Sequence, residues 1–318
     1  MTKYVISGAS GSLGGKITER LLETIPAENL TLTTRTPEKL SALAERGVTI
    51  LPGDYNDPAA LERAYAGCDV LMLISSMAVT KRVPEHRNAI NAAKKAGIKH
   101  IVYTSTAGIH PQNPTLSASD HIVTEDDLRR CSMGYTIMRN ACYAEVFPTV
   151  AAQPVLRSGE WVQVEGNGKL APISKDDIAR TAVACLLDPT RHDGAVYEIT
   201  GPDLVSFRDI AAMTSEIYGV PIKYTSVSVD ARYAMFDAMG VPRTYSEGMD
   251  GHPDAHLWCS EEMVTADIAF QAGYHGILTH HVEFITGEKP ASLRDVFERC
   301  KGKDYNDCLG RALFGSRT

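Results

Sequence analysis

ISGASGSLGG, residues 6–15, sets four glycines and three serines at the end of the hydrophobic run KYVIS (3–7). Glycine costs up to about 1 kcal/mol relative to alanine inside regular structure, so this density calls for a tight turn, a ligand, or both. Gly8-Ala9-Ser10-Gly11-Ser12-Leu13-Gly14 has GxxGxxG spacing between a first strand and a first helix. In such a turn Gly8 permits the reversal, Gly11 lets a phosphate approach, and Gly14 lets the helix pack closely on the sheet. Exposed N–H groups and the helix dipole then favour a diphosphate. The alternative is a glycine-rich turn with no ligand, and the surrounding pattern decides between them.

Working outward, strand-like segments recur at 30–35, 47–52, 69–75, 100–105 and 135–139, with helix-compatible stretches between most neighbours. The strands lack clean polar alternation, as a parallel sheet covered on both faces requires. This βαβ series predicts an α/β fold, a Rossmann-like doubly wound parallel sheet. PEHRNAINAAKKA (84–96) predicts a helix opened by Pro84 and closed by Gly97, and 174–188 and 195–200 add a later helix and strand to the same sheet. Beyond residue 200 the pattern turns helical, with SFRDIAAMTSEIYG (206–219) capped by serine and glycine and a short strand at 222–227. The expected division is a cofactor domain over 1–155 with 174–200, and a smaller, mainly helical domain over 201–318 with 156–173. The Pro-, Gly- and Asp-rich run from Val241 to Ala255 reads as a mobile connection or lid.

The 318 residues are 44% hydrophobic and 22% charged, enough for one large domain or two modest ones. A formal charge of −7 argues against a nucleic-acid or anionic-membrane partner, each of which favours a basic face, and leaves a small molecule as the expected partner. MTKYVISG enters a strand without a signal segment, and no later run has membrane-spanning length, so the expected compartment is the cytoplasm and the expected state a monomer or homodimer. Seven cysteines without a CxxC pair fit reduced thiols better than a disulfide framework or a zinc site.

The second strand ends in TTRTPEK, where Arg35 and Lys39 stand in place of the acidic residue that binds the ribose hydroxyls of NAD. A cation there suits a 2′-phosphate, so the cofactor expected is NADPH; the alternative is a solvated charge at a strand end. Asp54 and Tyr55 border the adenine or serve as the turn before Pro58. Ligands in open α/β sheets cross the carboxyl ends of the strands. That places Ser75, Ser76 and Met77, and then Thr104, Ser105 and Thr106, beside the nicotinamide.

No tyrosine is followed four positions later by lysine, so the usual short-chain dehydrogenase couple is absent. GASGSLGG, TTRTPEK, GDYNDPAAL, PEHRNAINAAKKAGIKHIVYTS, SDHIVTE and YTIMRNACY, in this order and spacing, resemble the NmrA-like atypical short-chain dehydrogenase/reductase family. The likeness is greatest to its NAD(P)H:quinone oxidoreductase and triphenylmethane reductase branch. The resemblance implies a substrate cleft between cofactor domain and helical domain. Asn140 and Tyr143 match the family's RN-x-x-Y and would bound the substrate. His121 occupies the place of the lysine base of plant lignan reductases, and His121, Thr124 and Glu125 match the His-x-x-Thr-Glu of the quinone branch.

The candidate catalytic set is His121, Thr104, Ser105, Asn140 and Tyr143. His121, with an ordinary pKa near about 6.5, would donate a hydrogen bond or proton to the oxyanion left by hydride transfer, or else merely pack its helix. The candidate cofactor set is Gly8, Ser10, Gly11, Ser12, Leu13, Gly14, Arg35, Lys39, Asp54, Tyr55, Ser75, Ser76, Met77, Thr104, Ser105 and Thr106. No metal is expected: His252 and His256 are spaced for one, but Pro253 breaks the helix and no carboxylate pattern completes a site. The expected function is an NADPH-dependent oxidoreductase acting on a quinone or related conjugated aromatic. The alternatives are a benzylic-ether or lignan reductase, and a non-enzymatic NADP-binding redox sensor. Acceptor choice would rest on loops 77–83, 107–120 and 241–258.

Overall fold

Residues 1–244, 259–303 and Cys308 are described by a computed structural model of the chain. The N-terminal series runs β1 (Tyr4–Ser7), α1 (Ser12–Leu22), β2 (Leu30–Thr34), α2 (Ser41–Glu45), β3 (Thr49–Pro52), α3 (Pro58–Tyr65) and β4 (Val70–Leu73). It continues through α4 (Arg82–Ala96), β5 (His100–Thr106), α5 (Leu116–Arg130) and β6 (Gly134–Asn140). A short π-helical turn (Phe147–Ala151) then enters α6 (Ala152–Ser158), β7 (Glu160–Val164), β8 (Lys169–Leu170), α7 (Lys175–Leu187) and β9 (Ala195–Ile199). The rest is β10 (Val205–Ser206), α8 (Phe207–Tyr218), β11 (Lys223–Val227), α9 (Val229–Ala238), α10 (Ser260–Gln271), α11 (His281–Thr286) and α12 (Leu293–Cys300).

The seven-stranded sheet has the order β3-β2-β1-β4-β5-β6-β9, parallel throughout. Successive crossovers run one way from β1 and the other way from β4, so the topological switch lies between these two strands, and both are buried at every position. Side chains alternate between two cores. Ile6, Leu32, Met72, Val102 and Met138 pack with α1 and α7, while Val5, Leu71, Leu73, Ile101 and Tyr103 pack with α3, α4 and α5. A third cluster joins Phe147 and Trp161 to Phe207, Ile210, Val296 and Phe297.

Several local readings shift. α4 begins at Arg82, ahead of Pro84, because a proline in a first turn removes an N–H that has no helical partner there. Gly97 closes the helix with φ +82°, as its position predicts. The stretch 156–173 holds β7 and β8, which pair with β11 and β10 in two small sheets. The thiol expectation is corrected at one pair: Cys300 and Cys308 form a disulfide, because the chain beyond α12 returns to within 5.1 Å between the two Cα atoms. The other five cysteines are free, and burial pushes the Cys142 and Cys185 thiols up to about 12. Residues 245–255 of the expected lid, with His252, lie outside the described residues, as does His256. No helix among the described residues is long and apolar enough to cross a membrane.

Candidate cofactor and active site

At the end of β1 the chain turns through Gly8, whose φ of +72° lies in the left-handed region. Ala9 N–H bonds to the Thr33 carbonyl and Gly11 N–H to the Gly8 carbonyl. α1 then starts with Gly11 as its N-cap, with no side-chain cap and no acid in its first turn, so its leading N–H groups stay available to an anion. A Cβ on Gly14 would stand 2.5 Å from the Gly8 oxygen and 2.8 Å from Ala9 Cα. Gly14 is therefore required by the turn's own backbone.

The residues expected beside the adenosine stand at the ends of β2 and β3. Ser10 Oγ and Thr34 Oγ1 share a hydrogen bond of 2.7 Å, and Arg35 and Lys39 are exposed beyond them. Asp54 accepts from Asn56 N–H at 2.9 Å, which shapes the turn, while the Tyr55 hydroxyl donates to the Ile74 carbonyl at 2.6 Å and ties the third strand's loop to the fourth's.

The ends of β4, β5 and β6 form the other half. Ser75 N–H donates to Thr104 Oγ1 at 2.8 Å, Ser76 N–H donates to His86 Nε2 at 3.0 Å, and the Ser76 carbonyl accepts from Arg82 Nε at 2.6 Å. Met77 is 68% exposed. Thr80 holds φ +70°, a strained value for a β-branched residue, with its N–H bonded to Asp120 Oδ2. The Ser105 hydroxyl donates to buried Glu125 at 2.7 Å, and Thr106 is half-buried beside it. Burial works to raise the Glu125 pKa, but hydrogen bonds from Arg139 and Ser105 outweigh it and hold the carboxyl below its usual range.

Asn140 ends β6 with its side chain on the α7 side; it is 5% exposed, and neither its amide nitrogen nor its amide oxygen has a partner. Tyr143 bridges to Ile173 nearby. From the opposite face, His121 on α5 is 4% exposed, with Nδ1 2.6 Å from the Tyr103 hydroxyl. Burial first, then Arg82 and His86, push His121 well below the ordinary histidine value. The structure therefore departs from the ordinary pKa expected of it: His121 is neutral at physiological pH.

The family described as NAD(P)H-binding matches residues 8–189, more than half of the chain. The protein belongs to the NAD(P)H-binding family. Quinone oxidoreductase 2 of Escherichia coli is 37% identical over 238 residues, covering 74% of this chain and 82% of that one. The solved NADPH-dependent quinone oxidoreductase from Escherichia coli complexed with NADPH aligns with a TM-score of 0.83 and 31% identity, over 93% of this chain and 98% of that one. The Citrobacter sp. triphenylmethane reductase complexed with NADP(H) aligns with a TM-score of 0.79 and 27% identity, over 93% and 99%.

Within this NAD(P)H-binding chain, one group at the glycine turn after β1 escapes the sequence reading. Lys175 is 3% exposed; its Nζ donates to Ser12 Oγ at 2.8 Å and lies 4.8 Å from the centre of the Tyr143 ring. Lys175 is the first residue of α7, where a cation opposes the helix dipole. That violation of a local rule inside SKDDIA was the available signal. α7 packs along α1, which brings the ammonium to the amino end of α1.

Proposed function

We propose that the protein is an NADPH-dependent reductase that passes hydride directly to a quinone or related conjugated aromatic acceptor. One observation carries the choice of acceptor: the carboxyl edge presents hydrogen-bonding groups, while burial pushes its histidines, His86 and His121, well below the ordinary range, His86 to about 3, and makes both poor bases. An electron-poor conjugated acceptor needs positioning beside the hydride and little acid–base help, whereas opening a benzylic ether needs a base. The likeness to quinone and triphenylmethane reductases supports the same choice.

The residues fit a reduced dinucleotide. The α1 amino end and Lys175 would hold the diphosphate, with Gly8, Gly11 and Gly14 giving it room and Ser12 and Leu13 supplying N–H groups. Ser10, Arg35 and Lys39 would take the 2′-phosphate, and Asp54 and Tyr55 would border the adenine. Ser75, Ser76, Met77, Thr104, Ser105 and Thr106 would wall the nicotinamide. Asn140, whose amide has both halves unpartnered, is complementary to a carboxamide. The bound cofactor supplies the hydride. Tyr143 would bound the acceptor, and His121 would hydrogen-bond its oxygen. In this reading residues 1–155 with 174–200 form the cofactor unit, 201–318 with 156–173 form the substrate unit, and the enzyme works in the cytoplasm as a monomer or homodimer on a small aromatic molecule.

The test is NADPH consumption followed optically against quinones, azo and triarylmethane dyes, and lignans. Turnover of quinones or dyes is expected. Preference for a lignan would overturn the acceptor class, and tight NADPH binding with no consumption by any acceptor would overturn the enzymatic reading.

A further inference from the structure

Four side chains beneath the loop that follows β4 form a buried hydrogen-bonded chain: His86 of α4, Tyr103 of β5, and His121 and Thr124 of α5. Its proton positions follow from one end. Ser76 N–H can only donate, so His86 Nε2, 3.0 Å away, is bare. Neutral His86 then carries its proton on Nδ1 and donates to Thr124 Oγ1 at 2.9 Å, while Thr124 donates its own proton to the Asp120 carbonyl at 3.0 Å. The Tyr103 hydroxyl stands 3.4 Å from His86 Nδ1, which is now a donor, and 2.6 Å from His121 Nδ1. Thr124 Oγ1, which already accepts from His86, also lies near the phenol, but the 2.6 Å contact makes His121 Nδ1 the acceptor for the phenolic proton.

We propose that Tyr103 is a positioning residue: it fixes His121 in the tautomer with bare Nδ1 and protonated Nε2, so that a neutral imidazole N–H is the hydrogen-bond donor to the acceptor's oxygen. This rests on the reductase reading above and deepens it. The opposite tautomer would turn the phenolic proton to Thr124 Oγ1, a longer contact than the 2.6 Å to His121 Nδ1. His121 Nε2 has no partner among the described residues and is not fully buried, so its N–H is the donor of this chain left for the acceptor.

Burial keeps the ring neutral, helped by Arg82 and His86 and opposed by the carboxylates nearby. α4 contributes Arg82 and His86, β5 contributes Tyr103, and α5 itself contributes Asp120, 3.7 Å from Arg82, and Glu125. Arg139 of β6 is bound to Glu125, and Glu262 of α10 caps the first N–H groups of α5. Hydride brings two electrons to the quinone and leaves an oxyanion; Nε2–H stabilises that oxygen without giving up its proton, and water supplies the proton that completes the hydroquinone.

The test has a spectroscopic arm and a kinetic arm. Histidine-selective nitrogen-15 labelling of the full chain, with His121 assigned by its absence in His121→Gln, reads each ring's tautomer directly. Wild-type His121 is expected as a single neutral form with Nε2 protonated from about pH 5.5 to about pH 8.5, and His86 as the opposite tautomer. Tyr103→Phe should give a mixed His121 tautomer with His86 unchanged. In turnover, Tyr103→Phe should lower kcat about fivefold with KM for NADPH within about twofold, and His121→Ala should lower kcat on the order of 10²-fold.

His121→Gln, which sets an amide N–H near the place of Nε2, should retain most of kcat, while His121→Asn, one carbon shorter, should not. A protonated Nδ1, an imidazolium, or a wild-type kcat that titrates near pH 6.5 would overturn the proposal, as would His121→Gln as slow as His121→Ala. If wild-type protein turns over no acceptor, the reductase reading fails, and the spectra alone decide the tautomer.

Discussion

Replacing Lys175 by Met keeps the length and apolar volume of the stem and removes the ammonium that reaches Ser12 at the head of α1. An ammonium about 4 Å from one diphosphate charge gains about 4 kcal/mol at an effective dielectric of about 20. Roughly half of that is offset, because water and counter-ions reach an open cleft and the bound charge loses solvent, so about 2 kcal/mol survives, or about a 30-fold rise in Kd. Calorimetric titration of NADPH at low and at high salt measures it. The expected result is that 30-fold weakening at low salt, shrinking as salt rises, with kcat at saturating NADPH within about twofold and Tm within about 3 °C. Lys16→Met is the control, because Lys16 is already paired with Asp176 at 2.7 Å and should change Kd little. If Lys175→Met binds NADPH within about threefold of wild type, the ammonium does not face the diphosphate and the argument fails.

Arg35→Asp should reverse the preference between NADPH and NADH by removing the exposed cation at the end of β2; an unchanged ratio of kcat/KM for the two cofactors would count against the 2′-phosphate role. Gly14→Ala should destabilise the protein by about 3 kcal/mol and abolish binding, since a Cβ 2.5 Å from the Gly8 oxygen must move backbone, which urea unfolding and titration read together. Acid should weaken the fold through His86, whose pKa is pushed down to about 3 by burial and then by Arg82. Its unfolded form takes up a proton below about pH 6.5 and its folded form does not, so this contribution is complete above that pH and falls by about 1.4 kcal/mol per unit as pH drops towards the folded value. Urea unfolding at pH 6.5 and pH 5 should therefore show a slope shallower by about one proton in His86→Gln than in wild type, and equal slopes would refute it.

The sheet was legible because its strands are short apolar runs joined mostly by single crossover helices, and because Gly8 takes a positive φ that favours glycine while Gly14 has no room for a side chain. Ser206 and Gly219 were legible for the same local reason, a cap at each end of α8. β7 and β8 were not, because each pairs with a strand dozens of residues further on, so the glycine turns that bound them name no partner. The site divides along the same line. Residues that act through backbone geometry could be read from the chain, whereas those that act through a neighbour's proton could not.

In HIVYTS, Tyr103 reads as one more apolar strand residue, and in PEHRN, His86 reads as a surface helix position. Only when β5, α4 and α5 are packed together do they meet His121, and then burial, which a linear sequence cannot display, decides how the imidazole behaves. A histidine judged by its ordinary pKa is a proton donor. The same histidine, buried beside Arg82 and facing a tyrosine hydroxyl, is a fixed dipole, and a site built on fixed dipoles suits an acceptor that asks only for hydride.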